Sequence, residues 1–118
     1  MPEAAPPTYQ LLIEVAVAID VVVGRLGLCH FPAGRYVYTG SARRNIAARV
    51  ARHLAPKKRL HWHIDYLLTA PGVTVAGTRL FDEPECLINR NMPGSVPVPG
   101  FGSSDCRAGC GSHLKYLG

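Results

Sequence analysis

Residues 34–53 read GRYVYTGSARRNIAARVARH, so Tyr36 and Tyr38 stand a short distance before Arg49, Arg52 and His53. These residue types suit a phosphodiester. Arg offers a planar, permanently charged fork to phosphate oxygens, and a Tyr hydroxyl can position a group or accept a proton. They would meet if a strand carrying the phenols gave way to a helix carrying the guanidiniums. Gly40 stands where that break would fall.

The charge distribution points to the same kind of partner. No acidic residue lies between Asp20 and Asp65, yet nine of the 13 Lys and Arg do. With a net charge of +5 and a pI near 9.3, this window has the footprint of a polyanion binder, with nucleic acid as the expected partner. Arg43, Arg44, Arg52, Lys57, Lys58 and Arg59 are the expected positioning charges. The plainer alternative is a solvated basic face. The start, MPEAAPPT, lacks the basic and apolar regions of a signal peptide. The apolar run 11–23 is interrupted by Glu14 and Asp20 and is too short to span a bilayer. A cytoplasmic protein with reduced cysteines and no membrane partner is expected.

Period and punctuation indicate the elements that must position these groups. Residues 1–7 are expected to be disordered, leaving 8–118 as a single domain. Residues 9–18 and 21–24 read as strands, 27–34 as a connection, and 35–39 as a strand with Tyr36 and Tyr38 on one face. A helix is expected over 45–54, with Ile46, Val50 and Leu54 toward the core and Arg49, Arg52 and His53 on one flank. Residues 61–69 should be helical from Ile64, and 73–80 should form a strand. A last helix should begin at Asp82, with Asp82 and Glu85 as a capping pair. Residues 91–104 read as a Gly/Pro/Ser-rich loop, and the tail ends in the apolar run 114–117. The fold class is α/β or α+β: a small sheet with a few helices.

The blocks YVYTGSA, RHL, HWHIDYLL, EC and FGSSDC, in this order, carry a resemblance. A strand ending in Tyr38-Thr39-Gly40, followed by a helix bearing Arg, resembles the GIY-YIG nuclease superfamily. The whole set is similar to its compact branch, domain of unknown function 123, over nearly all of residues 8–117. The resemblance implies a mainly antiparallel sheet flanked by helices. The long gap from Tyr9 to Tyr38 implies an inserted hairpin between the two Tyr motifs. The first motif would fall on Pro7-Thr8-Tyr9, with Pro7 where the family carries Gly. Tyr38 would be the Tyr of the second motif, Arg49 the helix Arg, His53 the His that sometimes follows it, and Glu85 the metal-binding carboxylate.

The resemblance thus implies a metal-dependent endonuclease-like domain acting on nucleic-acid phosphodiesters, with DNA the expected substrate. Mg²⁺ or Mn²⁺ on Glu85 would polarise the phosphate, since Mg²⁺ keeps several waters and needs only one or two protein oxygens. Arg49 would neutralise the non-bridging oxygens. Tyr9 or Tyr38 would accept the proton of water, with its pKa lowered by Arg49 and the metal. His61 and His63 compete for the role of base, because an imidazole titrates near neutrality. Each residue has a plainer reading: strand tyrosines on a half-buried face, a surface Arg, a helix-capping Glu85, and half-buried histidines around Trp62. Asp65 would sooner orient a histidine or pair with an Arg than bind metal.

Cys106, Cys110 and His113 follow C-x3-C-x2-H, and Cys86 could supply a fourth ligand for tetrahedral Zn²⁺. The spacing is not that of a standard knuckle, and buried free thiols are the preferred reading. Two further functions compete with the nuclease: a catalytically silent nucleic-acid-binding module and a small zinc-stabilised interaction domain. Metal-dependent nicking separates the first from the second, and metal content identifies the third.

Overall fold

A strand paired on both sides has its backbone hydrogen bonds satisfied along both edges, and the first strand, mostly buried, is placed in this way. In the computed structural model, which describes residues 7–42, 44–56, 58–102 and 110–118, β1 (Thr8–Val15) lies between two antiparallel partners. On one side is β4 (Gly34–Ser41), in a register that sets Tyr9 opposite Gly40 and Leu11 opposite Tyr38. On the other is β5 (Val73–Phe81), with a register shift between Leu12 and Ile13. β6 (Leu114–Tyr116) adds to the far edge of β4, giving the order β5-β1-β4-β6.

The inserted hairpin is present as a separate two-stranded sheet. β2 (Ile19–Val22) pairs with β3 (Leu28–Phe31) around a single 3-10 turn at Gly24–Leu26. β3 corrects the reading of 27–34 as a connection. A four-residue strand between two glycines has little signal of its own, and its pairing with β2 makes it a strand. Among the described residues, three short helices flank the main sheet: α1 (Ile46–Leu54), α2 (His63–Leu68) and α3 (Glu85–Asn91). The architecture is a small α+β domain, with a mostly antiparallel four-stranded sheet flanked by helices.

The core lies on the sheet face that carries Tyr9, Leu11, Ile13 and Tyr38, closed by Ile46, Ile64, Leu67 and Phe101. Phe101 is fully buried and meets Phe31 and Tyr38 edge-on at 6.0 and 6.4 Å; burial of a ring this size contributes about 2–3 kcal/mol. Gly40 allows a close crossing. A Cβ there would lie 2.5 Å from Cζ and Oη of Tyr9, so any larger residue would push the phenol out of its seat. Gly102 does the same for Tyr38 at 2.9 Å, with φ at +69°.

Two expectations about the helices are corrected. Ile46 is buried and Val50 half-buried, but Leu54 is 52% exposed. His53 takes the inward position at the end of α1 instead, held by Tyr9. Asn45 caps the helix, its Oδ1 accepting from the Ala48 N–H at 3.1 Å. The last helix begins at Glu85 rather than Asp82, with extended Pro84 before it and no side-chain cap. Asp82 and Glu85 therefore form no capping pair. The Glu85 carboxylate is drawn across the fold to Ser41 instead.

Candidate active site

β1, β4, α1 and α3 each direct side chains toward one cavity of about 200 Å³. Tyr9, Tyr38, Gly40, Ser41, Arg49, Trp62, Glu85, Gly102 and His113 line it. A larger cleft of about 550 Å³, between the hairpin and the C-terminal strand, brings together no carboxylate and no Arg among the described residues. The smaller cavity carries the convergent chemistry.

Tyr9 is buried, with Oη 2.6 Å from His53 Nε2 and its ring 6.3 Å from that of Tyr38. Burial pushes the Tyr9 phenol up to about 12; Arg49 opposes this by charge and hydrogen bonding without overcoming it. The expected Arg49 effect is there, but desolvation is larger. Tyr38 is also raised, first by burial and then by the neighbouring Tyr9. Burial depresses His53 to about 4, so both partners of the Tyr9–His53 contact are neutral at pH 7.

Trp62 is the residue that sequence reasoning missed. The Arg49 guanidinium sits 4.5 Å from the centre of its ring and that of Arg52 4.4 Å away. An indole with two cations is a stacking platform. Arg49 Nη1 donates to the Ser41 carbonyl at 3.1 Å. Arg52 instead grips Asp65 with two bonds, at 2.8 and 3.0 Å, and donates to the Arg59 carbonyl. Asp65 Oδ2 also accepts from the His61 and Trp62 N–H groups. Burial alone would raise the Asp65 carboxyl, but these partners outweigh it and hold it below the ordinary range. Asp65 thus has the Arg-pairing role, and Arg52 is committed inside the fold.

Glu85 stands at the first turn of α3. Its Oε1 accepts from Ser41 Oγ at 3.1 Å, and its Oε2 lies 3.3 Å from His113 Nδ1. The His113 bond, opposed by burial, keeps the carboxyl below its usual value, so Glu85 is ionised at neutral pH. His113 Nδ1 also lies 3.1 Å from the Thr39 carbonyl. Two oxygen acceptors around one nitrogen require that nitrogen to carry the proton. The Ser41 and His113 contacts to Glu85 had no local sequence signal, although Ser41 directly follows the Tyr38-Thr39-Gly40 element.

The remaining candidates are dispersed. His61 is exposed and packs its ring on Trp62 at 4.9 Å. His63 Nδ1 accepts from the Gly102 N–H at 2.9 Å, fastening that loop, and burial lowers its pKa. Neither histidine lines the cavity. Arg44 and Arg59 are exposed. Lys58 donates to the His53 carbonyl and is shifted down by burial. Arg43, Lys57 and Cys106 lie outside the described residues. Cys86, Cys110 and His113 converge, their ligand atoms all within 4.8 Å of one another. Among the described residues, Cys29 is the buried thiol, while Cys86 and Cys110 are half-buried.

Residues 8–118 match the model of the family described as Domain of unknown function DUF123, and the chain belongs to that family. Comparison with curated proteins and with solved structures finds no match to the chain. Among the described residues, no helix is long and apolar enough to cross a membrane.

Proposed function

We propose that this DUF123 domain is a GIY-YIG-type endonuclease that hydrolyses nucleic-acid phosphodiesters, with DNA as its substrate and a divalent cation as its cofactor. The observation that carries the reading is the meeting of Tyr9, Tyr38, Arg49 and Glu85, from four separate elements, around one cavity. Glu85 fits Mg²⁺ or Mn²⁺: it is ionised, faces the cavity, and uses only part of its oxygen lone pairs on Ser41 and His113. Bound there, the cation would supply positive charge to the phosphate and the leaving oxygen.

The chain's own residues do the rest. Arg49, fixed by the Ser41 carbonyl and the Trp62 face, presents a pre-positioned guanidinium to the non-bridging oxygens. Tyr9 keeps its proton at neutral pH and, held 2.6 Å from His53 Nε2, uses its Oη to orient the attacking water rather than to deprotonate it. Burial keeps His53 neutral, so the water's proton passes to solvent. Arg44 and Arg59, exposed on either side of α1 in the chain, hold the phosphate backbone.

The test is incubation with branched, nicked and single-stranded DNA and with RNA, in Mg²⁺, in Mn²⁺ and in EDTA. Cleavage dependent on the cation is expected, and Glu85→Gln should abolish it while leaving the fold and nucleic-acid affinity intact. A Glu85→Gln protein that cuts at the wild-type rate would remove the metal role. The high pKa of Tyr9 favours a second reading, a silent binding module. Salt-sensitive DNA binding with no cleavage under any of these conditions would establish it.

A further inference from the structure

We infer that Cys86, Cys110 and His113 bind one thiophilic divalent ion, Zn²⁺ by class, at a site separate from the cation site at Glu85, and that this ion fixes the Glu85 carboxylate through His113. The three ligand atoms already lie within 4.8 Å of one another. A tetrahedral Zn²⁺ with thiolate bonds of about 2.3 Å needs ligand separations of roughly 3.8 Å, so a closure of about 1 Å suffices. Among the described residues, no disulfide joins Cys86 to Cys110. Two sulfurs and an imidazole select a borderline-soft metal and are a poor set for Mg²⁺, which demands oxygens.

The frame around the cluster is tied down on both sides. Asn89 Nδ2, one turn along α3 from Cys86, donates to the Ser112 carbonyl at 2.8 Å. The His113 N–H donates to the Phe101 carbonyl at 2.8 Å, and the His113 carbonyl accepts from the Thr39 N–H at 3.0 Å. The orientation of the imidazole is also that of a ligand. With Nδ1–H directed at the Thr39 carbonyl and Glu85 Oε2, the tautomer presents its lone pair at Nε2. A metal-bound His whose second nitrogen donates to a carboxylate is a recurrent arrangement that sets ring orientation. Glu85 and Cys86 are neighbours at the start of α3, so one helix end joins the two sites.

The Zn²⁺ site stands on its own geometry; only its effect on Glu85 rests on the nuclease reading. The test is metal analysis of the purified, reduced protein and titration of the metal-free protein with Co²⁺. One equivalent of Zn²⁺ is expected, with a Co²⁺ spectrum showing thiolate charge transfer and intense tetrahedral bands. Cys86→Ser and Cys110→Ser should each lose the charge-transfer intensity or weaken binding at least 100-fold. Because those variants could fail to fold, the wild-type titration decides by itself. No Zn²⁺ and no thiolate–Co²⁺ band in the reduced wild type would overturn the site. So would a Cys86–Cys110 disulfide persisting under reducing conditions. Glu85→Gln should weaken Zn²⁺ affinity about 10-fold, the scale of losing a partner to a ligating His; unchanged affinity would overturn the link. None of these readouts requires cleavage, so failure of the nuclease reading would leave them interpretable.

Discussion

Trp62 separates two arginines that the sequence makes look equivalent. Both belong to α1, three residues apart, and both guanidiniums lie about equally close to the indole, at 4.5 Å for Arg49 and 4.4 Å for Arg52. Their other partners differ in kind. Arg52 closes a bidentate pair with fully buried Asp65, and that carboxylate in turn holds the entry to α2. Arg49 has a neutral carbonyl partner and lines the cavity beside Tyr9 and Glu85. An Arg neutralised by an internal carboxylate has little charge left for a phosphate, whereas one held by a carbonyl and a ring keeps its full charge. Position on one helix flank does not set which guanidinium faces the cavity; the second partner does.

The largest expected effect is on Arg49. Arg49→Ala should cut the cleavage rate by about 10²–10³-fold, the scale of removing one donor to a developing oxyanion. The denaturation midpoint should move little. Arg49→Lys should not restore the rate, because an ammonium lacks the planar face that stacks on Trp62. Normal cleavage by Arg49→Ala would erase the contrast.

Arg52→Ala should behave in the opposite way. It leaves Asp65 buried without its cation, which costs about 3 kcal/mol where part of the pair reaches solvent. Chemical denaturation measures the loss, while the folded fraction retains most of its cleavage rate. If Arg52→Ala stays fully stable and loses activity, the two arginines have been assigned to the wrong sides.

Acidification tests the floor of the site. Burial holds His53 neutral in the folded chain, with a pKa near 4 against about 6.5 when unfolded. Below pH 6.5 the unfolded chain therefore takes up a proton that the folded chain does not. Stability falls from that point down to about pH 4 and is unaffected by this group above it. The loss by pH 5 is about 2 kcal/mol. Asp65, with its pKa held down, contributes stability above the ordinary carboxyl pKa that is lost only on further acidification. Thermal melts of His53→Gln, which can still bond Tyr9 but does not titrate, should lack the upper limb and keep the lower one.

What could be read in advance follows the reach of each interaction. Tyr38, Gly40 and Arg49 fall within a strand–turn–helix segment, and local period and punctuation sufficed to bring them together. Ile46 and Val50 obeyed the helical period, but Leu54 did not, because His53 was drawn inward by Tyr9, 44 residues earlier in the chain. The Asp82–Glu85 capping pair fitted the local pattern and failed for the same reason. Ser41 and His113 compete for the Glu85 carboxylate from 44 and 28 residues away, and Pro84 gives the helix a different start. A single indole among histidines carries no mark that two guanidiniums will stack on it.

Trp62 itself gives the smallest effect and the sharpest reading, because one change acts on both sides. Each cation–π contact at a partly exposed ring contributes about 0.5–1 kcal/mol. Trp62→Leu keeps apolar volume at the start of α2 but offers no π face. On the Arg52 side the bidentate Asp65 pair persists, so stability should fall by only about 1 kcal/mol. On the Arg49 side the ring is one of several restraints, and its removal leaves the guanidinium on the Ser41 carbonyl and the Tyr9 hydroxyl. A loss of about 1 kcal/mol in positioning would appear as a roughly five-fold lower cleavage rate at unchanged DNA affinity. Trp62→Phe, with a weaker but intact face, should recover part of that rate. If Trp62→Leu lowers stability and leaves the rate untouched, the indole belongs to the Arg52 side alone, and Arg49 is held in place by Ser41 and Tyr9.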